Sequence, residues 1–180
     1  MPDLLIELFS EEIPARLQAQ AADSLKKLIT TGMVNAGLTY TNAAAFHTPR
    51  RLTLAVAGLS EASPTVQEER KGPKVGAPEQ AIQGFLRGSG LKMEDLEIRD
   101  DKKGQAFFAT IIRPSRLATE IIAEVLEATI RNFPWPKSMR WGNGSLRWVR
   151  PLQSILCLLS GEAETQIVPV EVDGILAGNT

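Results

Sequence analysis

A helical repeat bracketed by short apolar runs constrains this chain more than any other feature. Leu17, Ala21, Leu25, Leu28 and Ile29 recur at helical spacing, the mark of an amphipathic helix with one face to bury. Upstream, Leu4 to Phe9 is an apolar run broken only by Glu7, which suits a buried strand. Pro14 sits where the helix begins, because its missing N–H is an orphan donor there anyway. Gly37 stands where the far end needs a cap. Ala43 to Phe46 and Leu52 to Leu59 read as two strands around a turn at Thr48-Pro49. Residues 4–59 therefore predict a β-α-β-β unit, a helix laid over a small sheet so that both bury a face.

Farther along, the stretch from Ser60 to about Pro78 is rich in charge and proline and is expected to be a loop. Ala81, Ile82, Phe85 and Leu86 mark a short helix closed by Gly88 and Gly90. Phe107 to Ile112 predicts a strand entered by a turn around Lys103-Gly104. A second main helix spans Arg116 to Arg131, with Leu117, Ile121, Val125 and Leu126 on its apolar face. Beyond it, Leu146 to Val149, Leu152 to Leu159 and Ile167 to Val172 read as strands. The expected class is α+β: a mostly antiparallel sheet with two main helices and a β-rich C-terminal part. The boundary is placed between an α+β lobe, 1–132, and a β-rich segment, 133–180. The chain stops at Gly174-Ile175-Leu176-Ala177-Gly178-Asn179-Thr180 with no capped helix or charged tail, as a cut through a longer protein would. Such a cut is expected to leave an unfinished sheet edge.

Composition limits the function classes. The 180 residues are 43% hydrophobic and 23% charged, which fits a folded domain and excludes a disordered one. The net charge of −1 means that any binding to nucleic acid must come from a local patch. One cysteine, Cys157, excludes an internal disulfide and a cysteine-rich zinc site. The start, Met1-Pro2-Asp3-Leu4-Leu5-Ile6-Glu7, has acids where a signal peptide would have bases, and no run approaches the ~20 apolar residues of a bilayer span. The expectation is a cytoplasmic protein without membrane or DNA partners.

The stretch from Ala128 to Gly161 contains no Asp or Glu, but it holds Arg131, Lys137, Arg140, Arg147, Arg150 and all three tryptophans, Trp135, Trp141 and Trp148. Cations neutralise phosphates, and flat aromatic or guanidinium surfaces stack on unpaired bases, so this is the composition of a local RNA-binding patch. Two other readings stand beside it: tryptophans filling the core with arginines paired to acids elsewhere, or an arginine- and tryptophan-rich subunit interface. Arg50 and Arg51 follow Thr48-Pro49 at a turn into a strand, so at most one points inward. One could grip a phosphate or carboxylate through its planar fork, or the pair could be a solvated turn with a structural ion pair. Glu11 and Glu12 precede the first helix, where the helix dipole explains them without chemistry. Lys71-Gly72-Pro73-Lys74-Val75-Gly76 is basic but lacks the phosphate-loop spacing and is expected to be a mobile loop. His47 and Cys157 offer no evident nucleophile–base pair, and no residue is assigned as catalytic or as a metal ligand.

The same residues carry a family likeness. Glu7-Leu8-Phe9-Ser10-Glu11-Glu12-Ile13-Pro14, Thr48-Pro49-Arg50-Arg51-Leu52, Lys71-Gly72-Pro73, Pro136-Lys137-Ser138-Met139-Arg140-Trp141-Gly142 with Val149-Arg150-Pro151-Leu152, and Val168-Pro169-Val170 with Gly174-Ile175 resemble, in order, the N-terminal part of bacterial glycine–tRNA ligase β subunits. Where this chain has Lys71, the family more often has arginine. The resemblance implies a subunit of an aminoacyl-tRNA synthetase serving protein biosynthesis. In it an α subunit holds the glycine and ATP (with Mg) site, the β subunit binds tRNA(Gly), and the assembly is α2β2. It places the catalytic residues off this chain and the anticodon-binding domain beyond Thr180. The isolated fragment is then expected to be inactive, with no cofactor of its own. Arg50, Arg51, Lys137, Arg140, Trp141, Arg147 and Arg150 remain the candidates for contact with tRNA or the partner subunit, on the logic of charge and stacking.

Overall fold

The computed structural model describes residues 1–101, 104–162 and 164–179. In chain order the elements are β1 (Asp3–Ser10), α1 (Ala15–Asn35), β2 (Asn42–Thr48), β3 (Arg51–Ala57), β4 (Val66–Lys74), α2 (Glu79–Ser89), a 3-10 turn at Met93–Asp95, β5 (Leu96–Asp101), β6 (Gly104–Arg113), α3 (Ala118–Arg131), β7 (Met139–Arg140), β8 (Arg147–Trp148), β9 (Leu152–Ser160), β10 (Thr165–Ile167), β11 (Glu171–Val172) and β12 (Ile175–Gly178). They form two compact units. One comprises Met1–Ser63 with Arg116–Thr180, and the other is Pro64–Ser115. The fold is α+β with mostly antiparallel sheets, as the residue pattern predicts.

The first unit is built on a sheet ordered β11-β12-β9-β1-β3-β2, with β10 also on β9. All its pairings are antiparallel except β12 on β9. Alternation along the strands decides which face is covered. Leu4, Ile6 and Leu8 of β1, Leu52, Leu54 and Val56 of β3, and Ile155, Cys157 and Leu159 of β9 share one buried cluster with α1 and α3. From α1 come Ala21, Ala22, Leu25, Ile29 and Met33, and from α3 Ile121, Ile122, Leu126 and Ile130. Fully burying each Leu or Ile here contributes about 1.5–3 kcal/mol relative to exposure. Pro14 takes the N-cap position of α1. At the other end Gly37, at φ 94°, closes a Schellman motif with Gly37 N–H on the Val34 carbonyl and Leu38 N–H on the Met33 carbonyl.

The opposite sheet face carries no helix of this unit. Leu5, Ala44, Ala55, Leu156 and Leu158 are half-buried there, while Phe46 and Ile167 are exposed. A shallow depression of about 400 Å³ lies over Leu5, Ala44, Ala55 and Leu158.

The second unit is a three-stranded antiparallel sheet ordered β4-β6-β5, with α2 against β4. Two of its strands depart from the sequence expectation. The charged stretch after Ser60 is not all loop: Val66–Lys74 is β4, and the segment Lys71 to Gly76 begins inside it, with a register shift between Lys71 and Lys74. β5 is equally unannounced by hydrophobic runs. Both are flanking strands whose ladder partner is β6, so charged side chains can occupy them without being buried. Gly90, in the left-handed region at φ 69°, caps α2, while Gly88 lies within it. Lys103, half of the expected turn into β6, lies outside the described residues.

The division into units also differs from a boundary at residue 132. Residues 152–160 form β9, which pairs along the whole of β1, so the C-terminal segment completes the sheet begun at the N-terminus. What separates instead is the insertion at 64–115. Its two ends meet within the first unit, where Ser63 N–H donates to the Arg116 carbonyl and Ala118 N–H to the Glu61 carbonyl. Two expected core residues face outward. Leu28 is exposed at the margin of the α1 stripe, and Leu117 is the extended N-cap of α3, so its side chain leaves the helix face.

Candidate functional site

The acid-free stretch separates into two layers. Phe133, Trp135 and Trp148 form an aromatic cluster with ring centroids 4.7, 4.9 and 5.0 Å apart. Trp148 is 1% exposed and Trp135 packs against the same core, so these two tryptophans fill space. Neither indole N–H has an acceptor among the described residues. The two rings meet edge to face at 79°, which sets one ring's positive edge on the other's negative face. Trp141 differs. It stays 37% exposed, and its Nε1–H donates to the Trp148 carbonyl at 3.4 Å.

The cations form the outer layer. β7 and β8 pair so that Met139 faces Trp148 and Arg140 faces Arg147. Side chains alternate along a strand, so with Trp148 turned to the core both arginines point to solvent. Like charges directly opposite in a ladder are destabilising. Among the described residues, no carboxylate forms an ion pair with Arg140, Arg147 or the nearby exposed Lys137. The hairpin thus holds uncompensated positive charge beside an exposed indole.

A carboxylate from a distant hairpin fixes this geometry. Asp173 and Gly174 join β11 to β12, both at positive φ (54° and 84°), as a type I′ turn requires. The Asp173 carboxylate accepts bonds from Ser145 N–H at 3.0 Å, Ser145 Oγ–H at 3.0 Å and Leu146 N–H at 3.3 Å. The backbone N–H groups of Ser145 and Leu146 hold its carboxyl below the ordinary 3.8. A Cβ added at Gly144 would lie 1.9 Å from Asp173 Oδ2, so only glycine fits beneath the carboxylate. Asp-Gly is visible in the sequence as a hairpin signal, but nothing local announces that its carboxylate anchors another hairpin.

The other candidates are more committed. Arg150 is half-buried, with Nε–H on the Glu12 carbonyl at 3.2 Å and an Nη1–H on the Val149 carbonyl at 3.5 Å. Arg50 pairs with Glu11 and Arg51 with Glu7, the latter at 3.5 Å. Both guanidinium groups also lie over the Phe9 ring, at 5.8 and 5.6 Å from its centroid. Glu11 is therefore turned to Arg50 and Gln153. A cavity of about 220 Å³ adjoins the hairpin and brings Arg16 of α1 together with Lys137 and Arg150. Arg16 escaped notice in the sequence because it stands alone on a solvated helix face.

His47 and Cys157 are not brought together. β3 and β1 stand between His47 on β2 and Cys157 on β9. Burial pushes the Cys157 thiol up to about 12, which leaves it un-ionised at neutral pH. Among the described residues no cluster of His, Cys, Asp or Glu could hold a metal ion, and no helix is long and apolar enough to cross a membrane.

Comparison with known proteins places these features in a lineage. A family model described as glycyl-tRNA synthetase beta subunit matches residues 4–180. Proteins named glycine–tRNA ligase beta subunit are similar throughout. That of Paracoccus denitrificans is 67% identical over 180 residues, covering 100% of this chain and 26% of that protein. Those of Cereibacter sphaeroides and of a Ruegeria species are each 68% identical with the same coverage. The chain spans about a quarter of the length of these relatives.

Proposed function

Because this chain belongs to the glycyl-tRNA synthetase beta subunit family and so to an aminoacyl-tRNA synthetase, we propose that it is the N-terminal part of such a subunit and contacts tRNA(Gly) through the β7–β8 hairpin. Glycine activation with ATP and Mg then belongs to the α subunit of an α2β2 assembly in the cytoplasm. The observation that carries the RNA contact is the opposed pair Arg140 and Arg147, exposed and without carboxylate partners among the described residues. A fold tolerates such repulsion where an anionic partner compensates it. Trp141, exposed beside the pair, offers a ring for stacking.

The test is tRNA affinity measured across a salt series. Arg140→Gln with Arg147→Gln should lower the slope of log affinity against log salt by about two, one for each phosphate no longer neutralised. The weakening should be similar for any tRNA, because phosphate contacts position without reading sequence. An unchanged slope with an intact fold would refute the RNA contact.

One observation favours a second use of the same unit, docking to the α subunit. The sheet face opposite α1 and α3 exposes Phe46 and Ile167 beside half-buried Leu5 and Leu156, and exposed apolar patches mark protein contacts. Phe46→Lys should then weaken association with the α subunit and leave the salt slope on tRNA unchanged. The opposite pattern would refute docking through this face.

A further inference from the structure

The cavity beside the hairpin has a chemistry of its own. Its polar lining is cationic throughout: Arg16 from the first turn of α1, Lys137 from the segment before β7, and Arg150 from the link between β8 and β9. Three remote parts of the chain thus bring positive charge to one concavity, and Leu17 and Met139 supply apolar wall. Among the described residues no carboxylate lines it. Glu11 and Glu12 border the neighbouring depression, which shares Pro14 and Arg150; Glu11 is neutralised by Arg50, leaving Glu12 as one negative charge against three positive. Arg150 is also preorganised. Two of its nitrogens are tied to backbone carbonyls, which fixes the guanidinium plane and leaves Nη2 uncommitted. A guanidinium held in this way loses little freedom when an anion arrives.

We propose that this cavity is a phosphate-binding pocket that takes one backbone phosphate of an RNA through Arg16, Lys137 and Arg150. It rests on the reading that the adjoining hairpin faces tRNA, and it extends that surface inward to a seat at its edge. At about 220 Å³ the cavity has room for a phosphodiester with part of its ribose. Exposed Arg140 and Arg147 would meet the strand by charge alone, whereas the pocket fixes where a single phosphate lies. This makes it the positional element of the surface.

The experiment introduces Arg16→Gln, Arg16→Lys and Arg140→Gln separately and follows tRNA binding by fluorescence anisotropy over a series of salt concentrations. Arg16→Gln should reduce the salt slope by about one. Arg16→Lys should preserve it, because the charge remains. Arg16 is exposed, so both variants should melt with the parent, and the lysine variant separates charge from any effect on folding. If Arg140→Gln lowers the slope and Arg16→Gln does not, the pocket is refuted and the hairpin reading stands. If neither does, both fail. A parallel titration with inorganic phosphate, followed by amide NMR, distinguishes the source of the ligand. Phosphate saturating the parent but not Arg16→Gln, with tRNA slopes unchanged, would assign the pocket to a free anion and overturn the RNA proposal.

Discussion

The larger unit buries whole rows of apolar side chains from β1, β3, β9, α1 and α3, ending in the Phe133, Trp135 and Trp148 cluster. The inserted unit, among its described residues, buries only Ala106, Phe107 and Ala109 of β6. It surrounds them with surface ion pairs: Arg70 with Glu68 at 2.9 Å, Arg99 with Glu69 at 3.0 Å and with Glu97, and Arg113 with Glu68 at 3.8 Å. Exposed ion pairs contribute little, because water and salt screen them and two long side chains must be immobilised. Stability in this chain is therefore unevenly distributed, with opening expected first where apolar burial is thin.

The severest test removes apolar volume from the larger unit. Leu54→Ala, at a position 0% exposed, should cost about 2–5 kcal/mol in denaturant unfolding followed by tryptophan fluorescence. All three tryptophans belong to that unit, so the signal reports on it alone. If β6 loses amide protection to the same extent, the two units are one cooperative block and the contrast collapses. Phe107→Ala is the converse experiment. A loss of about 3 kcal/mol should open the inserted unit to amide exchange while leaving tryptophan fluorescence unchanged.

A smaller effect is expected from acid. The Asp173 carboxyl is held below its ordinary 3.8 by the hairpin N–H groups. Its contribution is therefore complete above about pH 4 and lost as pH falls through the lower folded value. Amides of Ser145 and Leu146 should lose protection in that window, and Asp173→Ala should remove both the protection and its pH dependence. Retained protection near pH 2 would show that the hairpin stands without this clamp. The least effect belongs to Arg99→Ala. Despite its two carboxylates and its position 5.5 Å over the Phe108 ring, the side chain is 44% exposed, and no resolvable change in melting is expected. A clear drop would mean that the charge network does stabilise the inserted unit.

The same contrast explains what the sequence revealed. β1, β3 and β9 were legible because a half-covered sheet imposes apolar residues at every second position. β4, Val-Gln-Glu-Glu-Arg-Lys-Gly-Pro-Lys, and β5, Leu-Glu-Ile-Arg-Asp-Asp, were not, since each flanks a small sheet and satisfies its ladder without an apolar pattern. The candidate surface was legible as charge and illegible as geometry. Absence of acids between Ala128 and Gly161 pointed to Arg140 and Arg147. It could not separate core Trp148 from exposed Trp141, because Trp148 is placed by its pairing with Met139, while Trp141 lies just beyond the ladder. Arg16 and Asp173 join the surface only through the tertiary fold.

The position of β1 has a consequence for how the molecule comes into being. β1 is central in the sheet, between β3, which follows within fifty or so residues, and β9, which lies about 150 residues downstream. At roughly 5–20 residues per second, a ribosome needs on the order of 8–30 s to deliver that partner. During that interval one edge of β1 offers unpaired N–H and C=O groups, together with side chains whose apolar cover is incomplete. The inserted unit is synthesised entirely within it and can fold before the larger unit closes. Completion of the sheet is thus a late, non-local step, slow by its topology, and the interval before it is when a nascent chain of this kind most needs protection from its neighbours.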